Sequence, residues 1–203
     1  MSIGSTALRA ALPVTVLAFA LTACGGGDEQ SSSGAKPTTG AKEATVSTHQ
    51  PSGGERAAGQ SATGTFKEGE QNVTYDVVAE KVDLGTEAEA QRLVADKDAA
   101  KGLVLAVAHV KFTHKAGQPL TDTPDVNDGT TIWADGKRTA LLIGASDDSP
   151  GCEDPYDIEG WKQGESHTLC ESYLIPANAK SVEVHWSAND NSDPYIWKFA
   201  SKG

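Results

Sequence analysis

The sequence predicts an all-β domain, an antiparallel β-sandwich carrying one short helical insertion and preceded by a disordered linker. Three observations lead there. Short apolar runs alternate in or out at period two and are separated by turn residues at close intervals. One run, residues 103–112, is apolar at both parities, as a central strand covered on both faces must be. The pair Asp135-Gly136 between two apolar stretches supplies the positive φ angles of a tight hairpin turn.

The elements follow in order. Residues 72–82 place Val73, Tyr75, Val77 and Ala79 on one face and Thr74 and Asp76 on the other, a half-buried strand. Residues 86–100 are rich in Ala, Glu, Gln and Arg, and Thr86 with Glu89 fits a capping box. A short helix is expected there with Leu93 and Val94 facing inward, the alternative being an unstructured insertion. Residues 131–133 and 138–143 form the hairpin around Asp135-Gly136. Residues 166–175 make the next strand, stopped by Pro176, which lacks an N–H for the ladder. Residues 181–187 alternate Val182, Val184 and Trp186 against Glu183 and His185, and residues 195–200 are the last strand.

The first 64 residues are of a different kind. Arg9 is followed by an apolar stretch over residues 10–21 and then by Leu21-Thr22-Ala23-Cys24. About 12 apolar residues span about 18 Å as helix, too short for a hydrocarbon core of about 30 Å, so residues 1–23 fit a secretory signal. Small residues running directly into a cysteine resemble the lipobox of bacterial lipoproteins. That resemblance implies cleavage before Cys24, a diacylglyceryl group on its thiol, and a lipid-anchored protein at the extracytoplasmic face of the cell membrane. Residues 24–64 are rich in Gly, Ser, Thr and Ala without an aromatic residue, a composition that buries too little apolar surface to order itself. As a flexible tether of about 40 residues it spans roughly 35 Å. The folded domain is expected over 65–203.

Charge and cysteine usage narrow the function. The formal net charge is −11, and residues 65–203 carry all of it, because Arg9 offsets the linker's single net negative charge. Such a domain repels phosphate backbones and anionic head groups, which argues against nucleic acid as a partner. With Cys24 taken by lipid, Cys152 and Cys170 remain as one pair, which in an oxidising compartment is most simply a disulfide pinning an acidic loop to the strand that follows.

Three stretches together resemble the telokin-like, immunoglobulin-like domain of unknown function found in bacterial envelope lipoproteins. They are the run 103–112, the turn Trp133-Ala134-Asp135-Gly136-Lys137, and Trp161-Lys162-Gln163-Gly164-Glu165 leading into Tyr173-Leu174-Ile175-Pro176. The resemblance covers about residues 66–200. It implies an immunoglobulin-like sandwich and transfers no catalytic residue.

Several constellations invite chemistry. Asp147, Asp148, Glu153, Asp154, Asp157 and Glu159 crowd around Cys152 and offer oxygen ligands to Ca²⁺, yet their spacing matches no calcium loop and a solvated acidic loop is the simpler reading. The stretch Asp125-Val126-Asn127-Asp128-Gly129 sets its glycine wrongly for an EF-hand, and Asn189, Asn191 and Asp193 are ordinary turn residues. His109 and His185 lie in predicted strands and could meet across the sheet, a weak case for zinc or copper, and no metal or other cofactor is expected. Trp186 and Trp197 are read as core. Trp161, between Gly160 and Lys162, is expected at the surface and joins the acidic loop as the candidate binding surface. No nucleophile elbow, Ser-x-x-Lys, His-Glu-x-x-His or glycine-rich phosphate loop occurs, so the chain is expected not to be an enzyme. The leading expectation is a monomeric, non-enzymatic envelope module that binds a protein or glycan. The alternative is a sensor whose pinned acidic loop reads an ion or a partner, with an envelope hydrolase third.

Overall fold

A computed structural model describes residues 53–146, 149–189 and 192–200. The expected signal (residues 1–23), Cys24, most of the stretch expected to be linker, Asp147, Asp148 and Asn191 lie outside the described residues. Ten strands occur in chain order: β1 (Gly54–Arg56), β2 (Ala62–Glu68), β3 (Gln71–Leu84), β4 (Leu103–Ala116), β5 (Thr130–Ala134), β6 (Lys137–Arg138), β7 (Ala140–Leu141), β8 (Ser166–Pro176), β9 (Ser181–Trp186) and β10 (Tyr195–Ala200). One helix, α1 (Glu87–Leu93), and three single-turn 3-10 segments complete the described elements.

The strands form two five-stranded sheets. The first has the order β1-β10-β9-β5-β6 and the second β2-β3-β4-β8-β7. Every pairing is antiparallel except β1 with β10, which run parallel. Two strands were not anticipated. β1 and the start of β2 fall within residues 24–64, the stretch expected to be linker. Composition misled because a parallel edge strand and a polar, half-buried strand need few apolar residues. β1 is held to β10 by backbone pairing, by Lys198 donating to Glu55 at 2.5 Å, and by Arg56 lying 5.0 Å over the Tyr195 ring.

The inward faces of the two sheets share one core. Tyr75, Phe112, Tyr173 and Ile175 of the second sheet join Ile132, Val184, Trp186 and Trp197 of the first. The alternation expected for β3 holds, with Val73, Tyr75, Val77 and Ala79 all fully buried. Aromatic rings carry polar tips, and four of the buried ones donate to backbone carbonyls. Trp186 Nε1 donates to Val126 O at 3.0 Å, Trp197 Nε1 to Gln60 O at 2.7 Å, Tyr173 Oη to Thr130 O at 2.8 Å and Tyr195 Oη to Thr63 O at 2.6 Å. The first two bonds tie the segments before β5 and β2 to the sheets, and the last two join one sheet to the other.

β4 is buried at consecutive positions from Ala106 to Val110, as its doubly apolar run requires. Its inward residues Ala106, Ala108, Val110 and Phe112 meet the shared core. Its outward face is covered in part by a smaller cluster in which Ala90 and Ala100 pack with Leu174, flanked by Val94, Leu103 and Leu142. The capping box is present, Thr86 N donating to Glu89 Oε2 at 2.6 Å and Glu89 N to Thr86 Oγ1 at 3.3 Å. Leu93, however, is 46% exposed, against expectation. The helix is only two turns long and the residue it buries is the small Ala90, while Val94, the other residue expected inward, packs against the smaller cluster.

The hairpin of β5 and β6 turns on Asp135 and Gly136, with φ of 48° and 73°. Its second arm is shorter than expected. After Arg138 the chain crosses over, and β7 pairs with β8 of the other sheet.

Candidate functional site

The site is assembled on the outward face of the second sheet. β4 and β8 pair so that His109 stands opposite Cys170. Since alternate residues share a face, His109 lies with Leu105 and Val107, and Cys170 with Ser172 and Leu174, all turned away from the shared core. The chain after β7 returns over this face. Ser149 N and Cys152 N close two successive turns on Ser146 O and Ser149 O at 2.9 and 3.0 Å, and Gly151 takes the left-handed conformation that lets the turn close. Cys152 is thereby delivered to Cys170, and the two form a disulfide with Cα atoms 5.5 Å apart.

The disulfide roofs His109, which is only 2% exposed. Its Nδ1 lies 3.4 Å from Cys170 Sγ and 3.7 Å from Cys152 Sγ. Its Nε2 lies 3.0 Å from Asp83 Oδ2 on β3. Asp83 in turn accepts from Lys81 at 2.5 Å, which together with His109 holds its carboxyl below the usual range. Burial first, and Lys81 second, push the imidazole below its ordinary value, while Asp83 and the Gly151 backbone pull the other way.

Beyond the disulfide the loop is fixed by its own acids. Glu153 N donates to Thr168 O at 2.9 Å, and Glu153 accepts from Thr168 N at 2.8 Å and from His167 Nδ1 at 2.7 Å. Partial burial would raise the Glu153 carboxyl, but His167 and the Thr168 amide outweigh it and hold the group below its usual value. Asp154 caps the 3-10 turn Pro155–Asp157, accepting from Tyr156 N at 2.8 Å. Ile158 packs inward against the core, whereas Tyr156 projects outward and is 81% exposed. Cys152, Glu153, Asp154, Asp157, Glu159 and His167 border an open concavity of about 600 Å³.

The structure therefore brings together three of the expected surface residues, Glu153, Asp154 and Asp157, and the disulfide. Trp161 is a correction: it is 1% exposed and belongs to the core. Gly160 adopts a φ of 67° and turns the chain, so the indole enters the interior, 5.3 Å from Tyr75 and edge-on to His167 at 4.8 Å, with Nε1 donating to Glu165 O. Tyr156, not Trp161, is the aromatic that this loop exposes.

His109 and His185 do not meet. His185 belongs to the first sheet, stacked on Trp133 at 4.8 Å and bonded to Glu183 at 2.8 Å. Asp125–Gly129 is structural: Asn127 is buried and donates to Glu171 Oε1 and Cys170 O. A second acidic spot, Glu68, is buried beneath Asp125, accepting from Tyr75 Oη and Asp125 N, both at 2.7 Å. Both of its oxygens are thus occupied by the fold. None of the four described histidines hydrogen-bonds a serine or threonine hydroxyl. No helix among the described residues is long and apolar enough to cross a membrane.

The grouping of His109 with Cys152, Cys170 and Asp83 was not foreseen. The signal was present: matching the start of the run, Leu103, with Pro176 sets His109 opposite Cys170.

No family model and no curated protein matches the sequence. Two solved bacterial structures show weak, distant similarity. One is a "putative lipoprotein" from Staphylococcus aureus, 12% identical with a TM-score of 0.42 over 68% of this chain and 93% of that one. The other is a functionally unknown protein from Listeria monocytogenes, 12% identical with a TM-score of 0.36 over 71% of this chain and 89% of that one.

Proposed function

We propose that this chain is a non-enzymatic sensor module of a bacterial envelope, lipid-anchored through Cys24, that reads a partner or an ion through the loop between Cys152 and Cys170. On this reading the two sheets are an immunoglobulin-like sandwich, and the linker carries it away from the bilayer. One observation supports the loop above other surfaces: its acids divide into two groups. Glu153 and Asp154 spend their oxygens on fixing the backbone, while Asp157 and Glu159 stay exposed beside the outward Tyr156. A rigid frame presenting an aromatic ring among carboxylates suits a basic protein segment, since preorganised loops lose little entropy on binding. Ca²⁺ is the ionic version of the same reading.

The test compares full-length protein with a Tyr156→Ala/Asp157→Lys variant in capture of partners from envelope extracts, and adds thermal unfolding in millimolar Ca²⁺ against chelator. The reading requires either a captured protein lost in the variant or a midpoint raised by Ca²⁺. Identical capture together with identical midpoints would remove it. The anchor is checked by radiolabelled palmitate, which should enter the wild type and not a Cys24→Ser variant.

A further inference from the structure

The His109 cluster does something the acidic loop does not. We infer that Cys152, Cys170 and His109 form a redox-gated site for a thiophilic divalent cation, Zn²⁺, closed as a disulfide and opened by a dithiol reductant. The inference goes beyond the loop-reading function and stands whether or not Tyr156 and Asp157 contact a partner.

The geometry carries it. A tetrahedral Zn²⁺ with Zn–S of about 2.3 Å and Zn–N of about 2.0–2.1 Å sets sulfur and nitrogen ligands about 3.6 Å apart and two sulfurs about 3.8 Å apart. His109 Nδ1 already sits 3.4 and 3.7 Å from the two sulfurs. Two edges of the ligand triangle are therefore near their final length, and only the sulfur–sulfur edge has to open. Cys152 belongs to a turn of the loop, so it can retreat by that distance while Cys170 stays in β8.

The remaining parts of a metal site are also in place. Zinc-bound histidines commonly donate their second N–H to a carboxylate, which fixes the tautomer and aims the lone pair. Asp83 occupies that position, 3.0 Å from Nε2, and leaves Nδ1 directed at the sulfurs. Lys81 is the nearby opposing charge, but it is half-exposed and already paired with Asp83, whereas two thiolates would face the ion directly. Cys152 lines the open concavity, so the fourth coordination position can take water or a partner's side chain.

The redox step balances. A dithiol's thiolate attacks Sγ of Cys152, the more accessible sulfur, and expels Cys170 as thiolate. The dithiol's second sulfur then attacks the mixed disulfide and releases Cys152. Two electrons pass to the protein, the reductant leaves as a disulfide, and the two cysteines take up two protons. On metal binding both thiols give those protons to solvent, because the thiolate is the ligand. The metal thus replaces the disulfide as the pin of the loop.

The test uses full-length protein, oxidised or reduced with a phosphine, which supplies the two electrons as it becomes its oxide and leaves no competing thiol. Co²⁺ is added first, and Zn²⁺ is used to displace it. The reduced protein should bind one Co²⁺ with a thiolate-to-cobalt charge-transfer band that Zn²⁺ abolishes, and the oxidised protein should show none. His109→Ala should weaken Zn²⁺ binding by tenfold or more, and Asp83→Asn by about 10- to 100-fold. Asp83 is half-exposed, so its variant keeps the test readable if His109→Ala does not fold. Equal binding by oxidised protein, a missing thiolate band, a disulfide that resists reduction in the folded state, or undiminished affinity in both variants would each overturn the inference.

Discussion

His109 and Cys170 are register partners across the β4–β8 ladder, with the imidazole Nδ1 3.4 Å from the sulfur. That single adjacency joins three parts of the molecule. β3 supplies Asp83 behind the ring, β8 supplies one sulfur beside it, and the loop supplies Cys152 above it. The loop is consequently fastened to the part of the second sheet that is buried on both faces.

Removing the disulfide should cost stability without dismantling the sheets. A Cys152→Ser/Cys170→Ser variant loses the restriction that the cross-link places on the unfolded chain, about 3 kcal/mol for a loop of this size. Urea unfolding of oxidised wild type against the variant measures it. Equal midpoints would mean the loop contributes nothing to the fold.

Gly64 is required by its contact, not by its backbone angle. A Cβ there would lie 2.6 Å from Cζ3 and 2.9 Å from Cη2 of Trp186, whose ring is fixed by its bond to Val126 O. Gly64→Ala should therefore destabilise by about 1–3 kcal/mol through overpacking. A variant as stable as wild type would show that the indole has room to move.

The pH dependence of stability should carry two carboxylates acting in opposite directions. Burial, partly offset by Tyr75 and by the Asp125 amide, raises the Glu68 carboxyl above its unfolded value of 4.5. The folded state then holds the Glu68 proton longer than the unfolded chain, so stability falls as pH rises from about 4.5 through the folded value. Glu153 is lowered, so its contribution is complete above about 4.5 and is lost as pH falls through its folded value. Urea midpoints across pH 3 to 7 should flatten on the alkaline side in Glu68→Gln and on the acid side in Glu153→Gln. Unaltered profiles in both would contradict the assignment.

Much of the fold could be read from residue order, and the reasons are local. β3 and β4 announce themselves because Tyr75 and its neighbours alternate and because residues 103–112 are apolar at both parities. The Asp135-Gly136 turn and the Thr86–Glu89 cap are short-range chemistry, so they appear where the sequence puts them. β1 and β2 escaped notice because their pairing partners, β10 and β3, do the recruiting and their own composition is polar. Trp161 was misplaced for a related reason: its flanks are polar, but Gly160 redirects the chain and the space beside Tyr75 and His114 takes a large ring. In the site, the disulfide followed from counting cysteines, whereas His109 and Asp83 depended on strand register, which no local pattern states.

The most direct measurement is amide hydrogen exchange across residues 149–158 in three states of the full-length protein: oxidised, reduced, and reduced with one equivalent of Zn²⁺. The amides of Cys152, Glu153 and Tyr156, each bonded in the pinned loop, should lose protection on reduction and regain it with Zn²⁺, while β4 and β8 remain protected throughout. Protection that ignores reduction, or that Zn²⁺ fails to restore, would contradict the redox-gated site.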